Sequence, residues 1–243
     1  MLLVQTVNSW KDPAGRIASF AELLKRVAEI EGIRRIRFTS PHPSDFHVEI
    51  VEVIENVPQV CNQVHLPVQS GSTTILRRMK RDYTREEYLR RVDFIKKAQR
   101  EIALSTDIIV GFPGETQEDF EETLSLMQEV RYDSIFSFKY SPRPGTQAYS
   151  FEDAVPEEEK SRRLMILQEF QRKIQLERNA SFVGKELEIF VEGKSHRDIK
   201  DLMGRTTQNK IINFSGSSQL LGKFANVCVT NFSPNSLQGQ LIS

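Results

Sequence analysis

Two short turns contain the residue types best suited to holding a ligand. GFPGET, residues 111–116, sets two glycines around a proline and runs into an acidic helix start, and QSGS, residues 69–72, repeats the plan after the run HLPV. Glycine lets main chain come close to a bound group, and the first turn of a helix offers amides with no internal partner, so such turns suit polar or anionic ligand atoms. An ordinary strand-to-helix loop uses the same residues. Neither turn has a Walker lysine or the GxGxxG spacing, so a nucleoside triphosphate or a dinucleotide is not implied.

Histidine and cysteine offer less. His42 lies between two prolines in SPHPSDF, where a stiff loop either aims it into a site or packs a turn; His65 precedes an apolar run and reads as a core histidine. Cys61 and Cys228, the two cysteines, sit far apart in apolar stretches without CxxC-type spacing. They read as small core residues of a chain kept in a reducing, cytoplasmic setting, and neither is assigned to a metal. Spacing alone assigns no catalytic residue.

These turns need a scaffold. Apolar runs at 2–7, 33–39, 60–68, 103–110 and 134–140 read as strands with helical patterns between them. Phe20, Leu23, Leu24, Val27 and Ile30 form one stripe at the helical period, Thr84 and Glu87 have the form of a capping box, and a further helix is expected from about Thr116 to Val130. Strands separated by helices require crossovers, so the sheet is expected to be parallel, with its ligand site at the C-terminal strand ends. Those ends are polar or rich in Gly and Pro: Gln5 to Asn8, Thr39 to His42, Gln69 to Gly71, Gly111 to Glu115, and Tyr140 to Arg143. With five strand-helix units, a closed eightfold barrel is not available.

A long helical stretch from Pro156 to Ala180 reads as a connector, and from Phe182 the pattern changes to short alternating runs separated by Gly, Asn and Ser. That tail has the size at which a small closed β-barrel removes sheet edges. The division expected is residues 1–150, 151–181 and 182–243. Lys plus Arg and Asp plus Glu number 33 each, so overall charge points to no polyanionic or membrane partner. Local charge is uneven: residues 75–100 carry ten basic and four acidic side chains, and residues 101–130 carry eight acidic ones and no Lys or Arg. RRMKRDYTREEYLRR is either a solvated helical face or, with Tyr83 and Tyr88 interleaved, a nucleic-acid contact. The opening MLLVQTVNSW lacks a basic n-region, and no run approaches the roughly 20 apolar residues of a membrane span. A soluble cytoplasmic protein with no membrane partner is expected.

Taken in order, QTVNSW, RIRFTSPHPSDF, HLPVQSGS, RDYTREEYLRRV, STDIIVGFPGETQEDFEETL and SFKYSPRPGTQA resemble the bacterial tRNA methylthiotransferases of the radical S-adenosylmethionine (SAM) superfamily. The tail, with VEGKSHRD, LMGRTTQNKIINF and LGKFANVCVTNFSPNSLQGQLIS, is similar to the TRAM domain, an RNA-binding β-barrel of OB-like form. TSPHPSDF and HLPVQSGS are more like the branch acting on isopentenyladenosine beside the tRNA anticodon than like the threonylcarbamoyladenosine or ribosomal-protein branches. The rival from another class is a stand-alone RNA-binding protein.

The resemblance implies a partial (β/α) barrel with SAM across the strand tips. It places Gln5 and Asn8 near the methionine moiety, Thr39, Ser40, Gln69 and Ser70 at ribose and methionine contacts, and Gly111, Phe112 and Tyr140 around the adenine. On the tail it implies tRNA phosphate contacts from Lys194, Arg197, Lys200, Arg205 and Lys210. It also implies [4Fe-4S] clusters in the complete enzyme, held by cysteines including a CxxxCxxC motif. This chain lacks that motif, so it is expected to be an N-terminally truncated portion, inactive alone and a partner of the missing N-terminal half.

Overall fold

The computed structural model describes residues 1–3, 6–151, 154–195 and 201–242. β1 (Leu2–Leu3) pairs with β2 (Phe38–Thr39), a parallel bridge joins Ile36 to Val60, and β3 (Gln63–His65), β4 (Ala103–Val110) and β5 (Ser134–Lys139) follow, all parallel and in chain order. The partial α/β barrel expected from the sequence is present. Most strands are shorter than the apolar runs that announced them. Proline explains one case: β3 stops before Pro67, which has no N–H to donate, and pairing resumes where Gln69 N–H donates to Asp107 O at 2.8 Å.

The helices between strands are α1 (Phe20–Ala28), α2 (Val48–Asn56), α3 (Thr73–Arg78), α4 (Arg85–Lys97) and α5 (Gln117–Val130). Leu24, Ile54, Leu66, Leu76, Ile108 and Leu126 are fully buried in one core with the sheet. The α1 stripe ends sooner than its periodicity promised, because Ile30 lies past the helix and is exposed. The box at Thr84 and Glu87 caps α4, and a second box, from Thr116 and Asp119, caps α5. The helix α2 was not singled out in the sequence because its β-branched residues favour strands; its buried Ile50, Val51, Val53 and Ile54 nevertheless keep helical spacing.

After β5 comes α6 (Glu157–Ala180). It is more than a connector: Leu167 is buried in the main core, with Leu164 and Phe170 packed against it, and Gln171 donates to Tyr132 O at 2.9 Å. Beyond it β6 (Glu186–Lys194), β7 (Leu202–Arg205), β8 (Ile211–Phe214), β9 (Phe224–Phe232) and β10 (Leu237–Leu241) close into a barrel in the order β10-β8-β7-β6-β9. Closure removes exposed edges and buries a second core including Phe182, Ile189, Ile212, Phe214 and Val227.

The barrel docks on the parallel sheet through ions and main-chain acceptors. Arg35 donates to Arg205 O at 2.5 Å and Glu188 O at 2.9 Å, and Arg37 to Thr206 O at 2.6 Å. Asp133 lies between Lys210 and Arg178, each at 2.9 Å. Among the described residues no helix is long and apolar enough to cross a membrane.

Candidate functional site

Successive strands reach their tips through the same backbone device. Thr6 (φ 53°), Ser40 (φ 59°), Gln69 (φ 73°) and Gly111 (φ 70°), beyond β1, β2, β3 and β4, are all left-handed. For a residue other than glycine this costs about 1–2 kcal/mol, and such strain persists where surrounding structure enforces it, most often beside ligands.

Side chains of a strand alternate between its faces, which sets what the concave side of the sheet carries. Val64, Leu66, Ile108 and Val110 pack toward the helices; His65 and Gln69, Ser105, Asp107 and Ile109, and Phe136 and Phe138 take the other face. At the strand tips this face opens into a cleft of about 640 Å³, lined among others by Gln69, Asp107, Ile109, Phe112, Phe138 and Tyr140. Phe112 and Tyr140 meet edge to face at 4.9 Å, and the Tyr140 hydroxyl is buried with no hydrogen-bond partner. Ligand pockets are commonly roughly 300–1,000 Å³. A cleft of this size, with aromatic walls, a carboxamide, a carboxylate and an unpartnered phenol, fits a purine nucleoside such as the adenosyl group of SAM.

The sequence-named site residues divide. Gln69, Phe112 and Tyr140 meet in the cleft. Thr39 and Ser40 lie at the β2 tip, their hydroxyls 3.3 Å apart, with Ser40 exposed. Asn8 is committed to the protein: His42 N–H donates to its Oδ1 at 2.7 Å and its Nδ2 donates to His42 O at 2.9 Å. Ser70 is wholly buried and accepts from Ser72 N–H at 3.2 Å. Gln5 lies outside the described residues.

Gly111 makes a close approach, but to protein. A Cβ there would lie 2.3 Å from Lys160 Cγ, and its N–H donates to Glu115 Oε1 at 2.9 Å. At Gly71 the intruder would meet the α5 backbone, 2.4 Å from Thr123 Cα. Both turns therefore seat helices as well as border the cleft.

Of the two readings open for His42, the structure shows the packed turn. His42 packs edge-on against Tyr83 at 5.8 Å and accepts from Ser44 N–H at 3.3 Å; burial, then the charge of Arg81, holds its pKa below the ordinary value. His65 is largely buried, its side chain 14% exposed, with a polar partner at each ring nitrogen as expected of a satisfied histidine, but it stands on the concave face of the sheet and not in the core against the helices. Its Nδ1 is 3.0 Å from Ser105 Oγ, its Nε2 3.4 Å from Asp107 Oδ1, and its ring 5.7 Å from Phe136, all on the concave face. Strand alternation was the signal that grouped His65, Asp107 and Phe138, and reading 60–68 as an uninterrupted buried run concealed it.

On the barrel, Lys194 is exposed at the end of β6, whereas Arg197 and Lys200 lie outside the described residues. Arg205 pairs with Glu192 at 3.1 Å, and Lys210 bonds Asp133 and Asn179 at 2.9 and 2.8 Å. The structure thus gives Lys210 a docking task, since a cation buried against a carboxylate is not open to phosphate. Cys61 is buried in the sheet region and Cys228 stands on β9 of the barrel. Two separated thiols do not fit a [4Fe-4S] cluster, which needs three on one cubane here.

Residues 14–127 match the Radical SAM superfamily and residues 180–242 the TRAM domain. The tRNA-2-methylthio-N(6)-dimethylallyladenosine synthase of Solibacter usitatus is 53% identical over 98% of this chain and 54% of its own length. The enzyme of the same name from Koribacter versatilis is 51% identical over 99% of this chain and 55% of its own. Coproporphyrinogen III oxidase from Escherichia coli, described as a radical SAM enzyme, is 18% identical, with a TM-score of 0.47 over 55% of this chain and 31% of its own. The chain spans about half the length of the curated relatives it matches. Its parallel sheet and closed terminal barrel agree with these matches: the chain joins a radical SAM superfamily segment to a TRAM domain, and over nearly every residue it is similar to the synthases named above.

Proposed function

We propose that this chain supplies the SAM cradle and an RNA-binding module of a cytoplasmic tRNA-2-methylthio-N6-dimethylallyladenosine synthase. The observation that carries the reading is the 53% identity to one such synthase across 98% of the chain, together with a nucleoside-sized cleft at the strand tips. Residues 1–150 form the cradle, 151–181 the helix that joins it to the tail, and 182–243 the RNA module.

In this reading Phe112 and Tyr140 enclose the adenine, with the Tyr140 hydroxyl donating to one of its ring nitrogens. Gln69 addresses the ribose or the methionine end, and Thr39 and Ser40 close the far rim. When bound, SAM supplies the methyl group and the radical chemistry of the superfamily. The [4Fe-4S] cluster does not fit this chain's own two cysteines, and the chain alone is inactive. Lys194, with Arg197 and Lys200, meets tRNA phosphates from the barrel.

The test is a fusion of the amino-terminal portion of the Solibacter usitatus relative to this chain, expressed in cells lacking the modification. Mass spectrometry of digested tRNA is expected to show 2-methylthio-N6-dimethylallyladenosine, and to show only the unthiolated nucleoside with Phe112→Ala. A folded fusion that never forms the methylthio product overturns the reading.

A further inference from the structure

The strand-tip cleft is lined by more positive charge than a single cofactor needs. Arg78, Lys80 and Arg81 come from the end of α3 and the turn after it, Lys139 from β5 and Arg143 from the loop beyond; Asp107 is the acid among the lining residues. Two of these cations have work within the protein. Arg78 donates to Pro113 O at 3.1 Å and stands 4.9 Å over the Phe151 ring, while Lys139 pairs with Glu157. Among the described residues, Lys80, Arg81 and Arg143 have no acidic partner within salt-bridge distance, and Lys80 and Arg143 are exposed.

The backbone holds these cations in place. Lys80 has φ 56°, and the N–H groups of Lys80 and Arg81 donate back to Arg77 O at 3.0 Å and Leu76 O at 2.9 Å, so the turn is pinned to α3. Beneath the rim the floor is aromatic and open: Phe138 is 54% exposed, and Phe136, next on the same face of β5, is 56% exposed. Exposed apolar side chains are ordinary when scattered, but two neighbouring rings on one sheet face make a contiguous patch, the kind that marks contact sites.

Cations for phosphates beside an aromatic face for a base are the footprint of single-stranded nucleic acid. A zwitterionic cofactor brings one carboxylate, which does not account for three unpaired cations on two separate loops. On the barrel, by contrast, Arg205 and Lys210 are engaged in internal ion pairs. We propose that Lys80, Arg81 and Arg143 form a phosphate clamp that grips the looped strand of the RNA at the mouth of the cleft, so that one base turns inward against Phe138. This rests on the RNA-substrate reading above and adds a second RNA-binding surface, separate from the barrel.

The test uses the full chain and a labelled anticodon stem–loop RNA, titrated by fluorescence anisotropy across a salt series. Neutralising all three residues (Lys80→Gln, Arg81→Gln, Arg143→Gln) is expected to weaken binding about 10- to 100-fold and to reduce the log affinity against log salt slope by about 2, since each single-strand phosphate contact contributes about 0.7. Phe138→Ala is expected to weaken binding with the slope unchanged, because stacking releases no counterions. Circular dichroism checks that each variant is folded. A triple variant with wild-type affinity and slope overturns the clamp while leaving barrel binding intact. No binding by the wild-type chain even at low salt overturns the RNA reading itself, and the clamp with it. Equal displacement of the RNA by polyglutamate of matched charge overturns the stacking half of the proposal.

Discussion

Arg163 donates from Nη1 to Glu115 Oε1 at 2.6 Å, and the two side chains are 6% and 1% exposed. The same carboxylate oxygen accepts Gly111 N–H, and Arg163 also reaches Glu115 O at 3.0 Å, so the acid of GFPGET ties its own turn to α6 instead of facing a ligand. Burial holds the Glu115 carboxyl above its ordinary range against the opposing pull of Gly111 N–H and Arg163. Removing one partner leaves the other charge buried and unpaired, so Arg163→Met is expected to lower stability by about 3–5 kcal/mol in urea unfolding. An unchanged unfolding midpoint contradicts this clamp.

The two turn glycines predict a ranking. At Gly111 an added methyl comes 2.3 Å from Lys160 Cγ, near the root of a buried side chain, and φ is +70°; at Gly71 it meets the backbone of α5 at 2.4 to 2.8 Å. Gly111→Ala is expected to cost about 2 kcal/mol or more, left-handed strain plus a shift of the Lys160 side chain, and Gly71→Ala about 3 kcal/mol or more, because a helix backbone does not move aside. Thermal unfolding of both variants checks the order, and a more stable Gly71→Ala than Gly111→Ala reverses it.

Acid is expected to loosen the docking of the barrel. Burial alone would raise the Asp133 carboxyl, but the charges of Lys210 and Arg178 outweigh it and hold the group below its ordinary value. A carboxyl with a depressed folded pKa contributes stability that is fully present above its unfolded value, about 3.9, and is lost as pH falls through the lower folded value. Limited proteolysis from pH 5 down to pH 2 is expected to expose the α6–barrel junction progressively below about pH 4. Asp133→Asn should make the junction accessible already at neutral pH and remove much of that acid dependence. Identical profiles for the two proteins contradict the assignment.

Tyr140 separates folding from binding. Its buried hydroxyl has no partner, so Tyr140→Phe removes an unsatisfied polar group and is expected to leave stability unchanged or raise it by up to about 1 kcal/mol. If that hydroxyl serves the adenine, the same variant binds adenosyl compounds several-fold more weakly. Loss of stability with binding intact means that the hydroxyl serves the protein.

The elements legible in the sequence are those whose signal is local. The boxes at Thr84 and Thr116 and the run Ala103–Val110 translated into elements because capping and strand patterns need no knowledge of distant residues. Phe112 and Gln69 were found through their turns and do line the cleft. Asn8, Ser70 and Lys210 carry equally suitable polar groups, but those groups were taken by partners 34, 53 and 77 residues away: His42, Thr123 and Asp133. Nothing local in the chain marks such pairings. His65 is partnered as a buried histidine should be, but the face of β3 it shares with Ser105 and Asp107 on β4 is set by strand pairing and is not marked locally either.

The proposed nucleoside cradle at the strand tips is open to direct measurement. Backbone amide NMR of the full chain, titrated with S-adenosylhomocysteine, tests it most directly. Saturable shifts are expected at Gln69, Ile109, Phe112 and Tyr140, abolished by Phe112→Ala while the spectrum stays folded. Shifts that are absent from those residues, or that survive Phe112→Ala unchanged, contradict it.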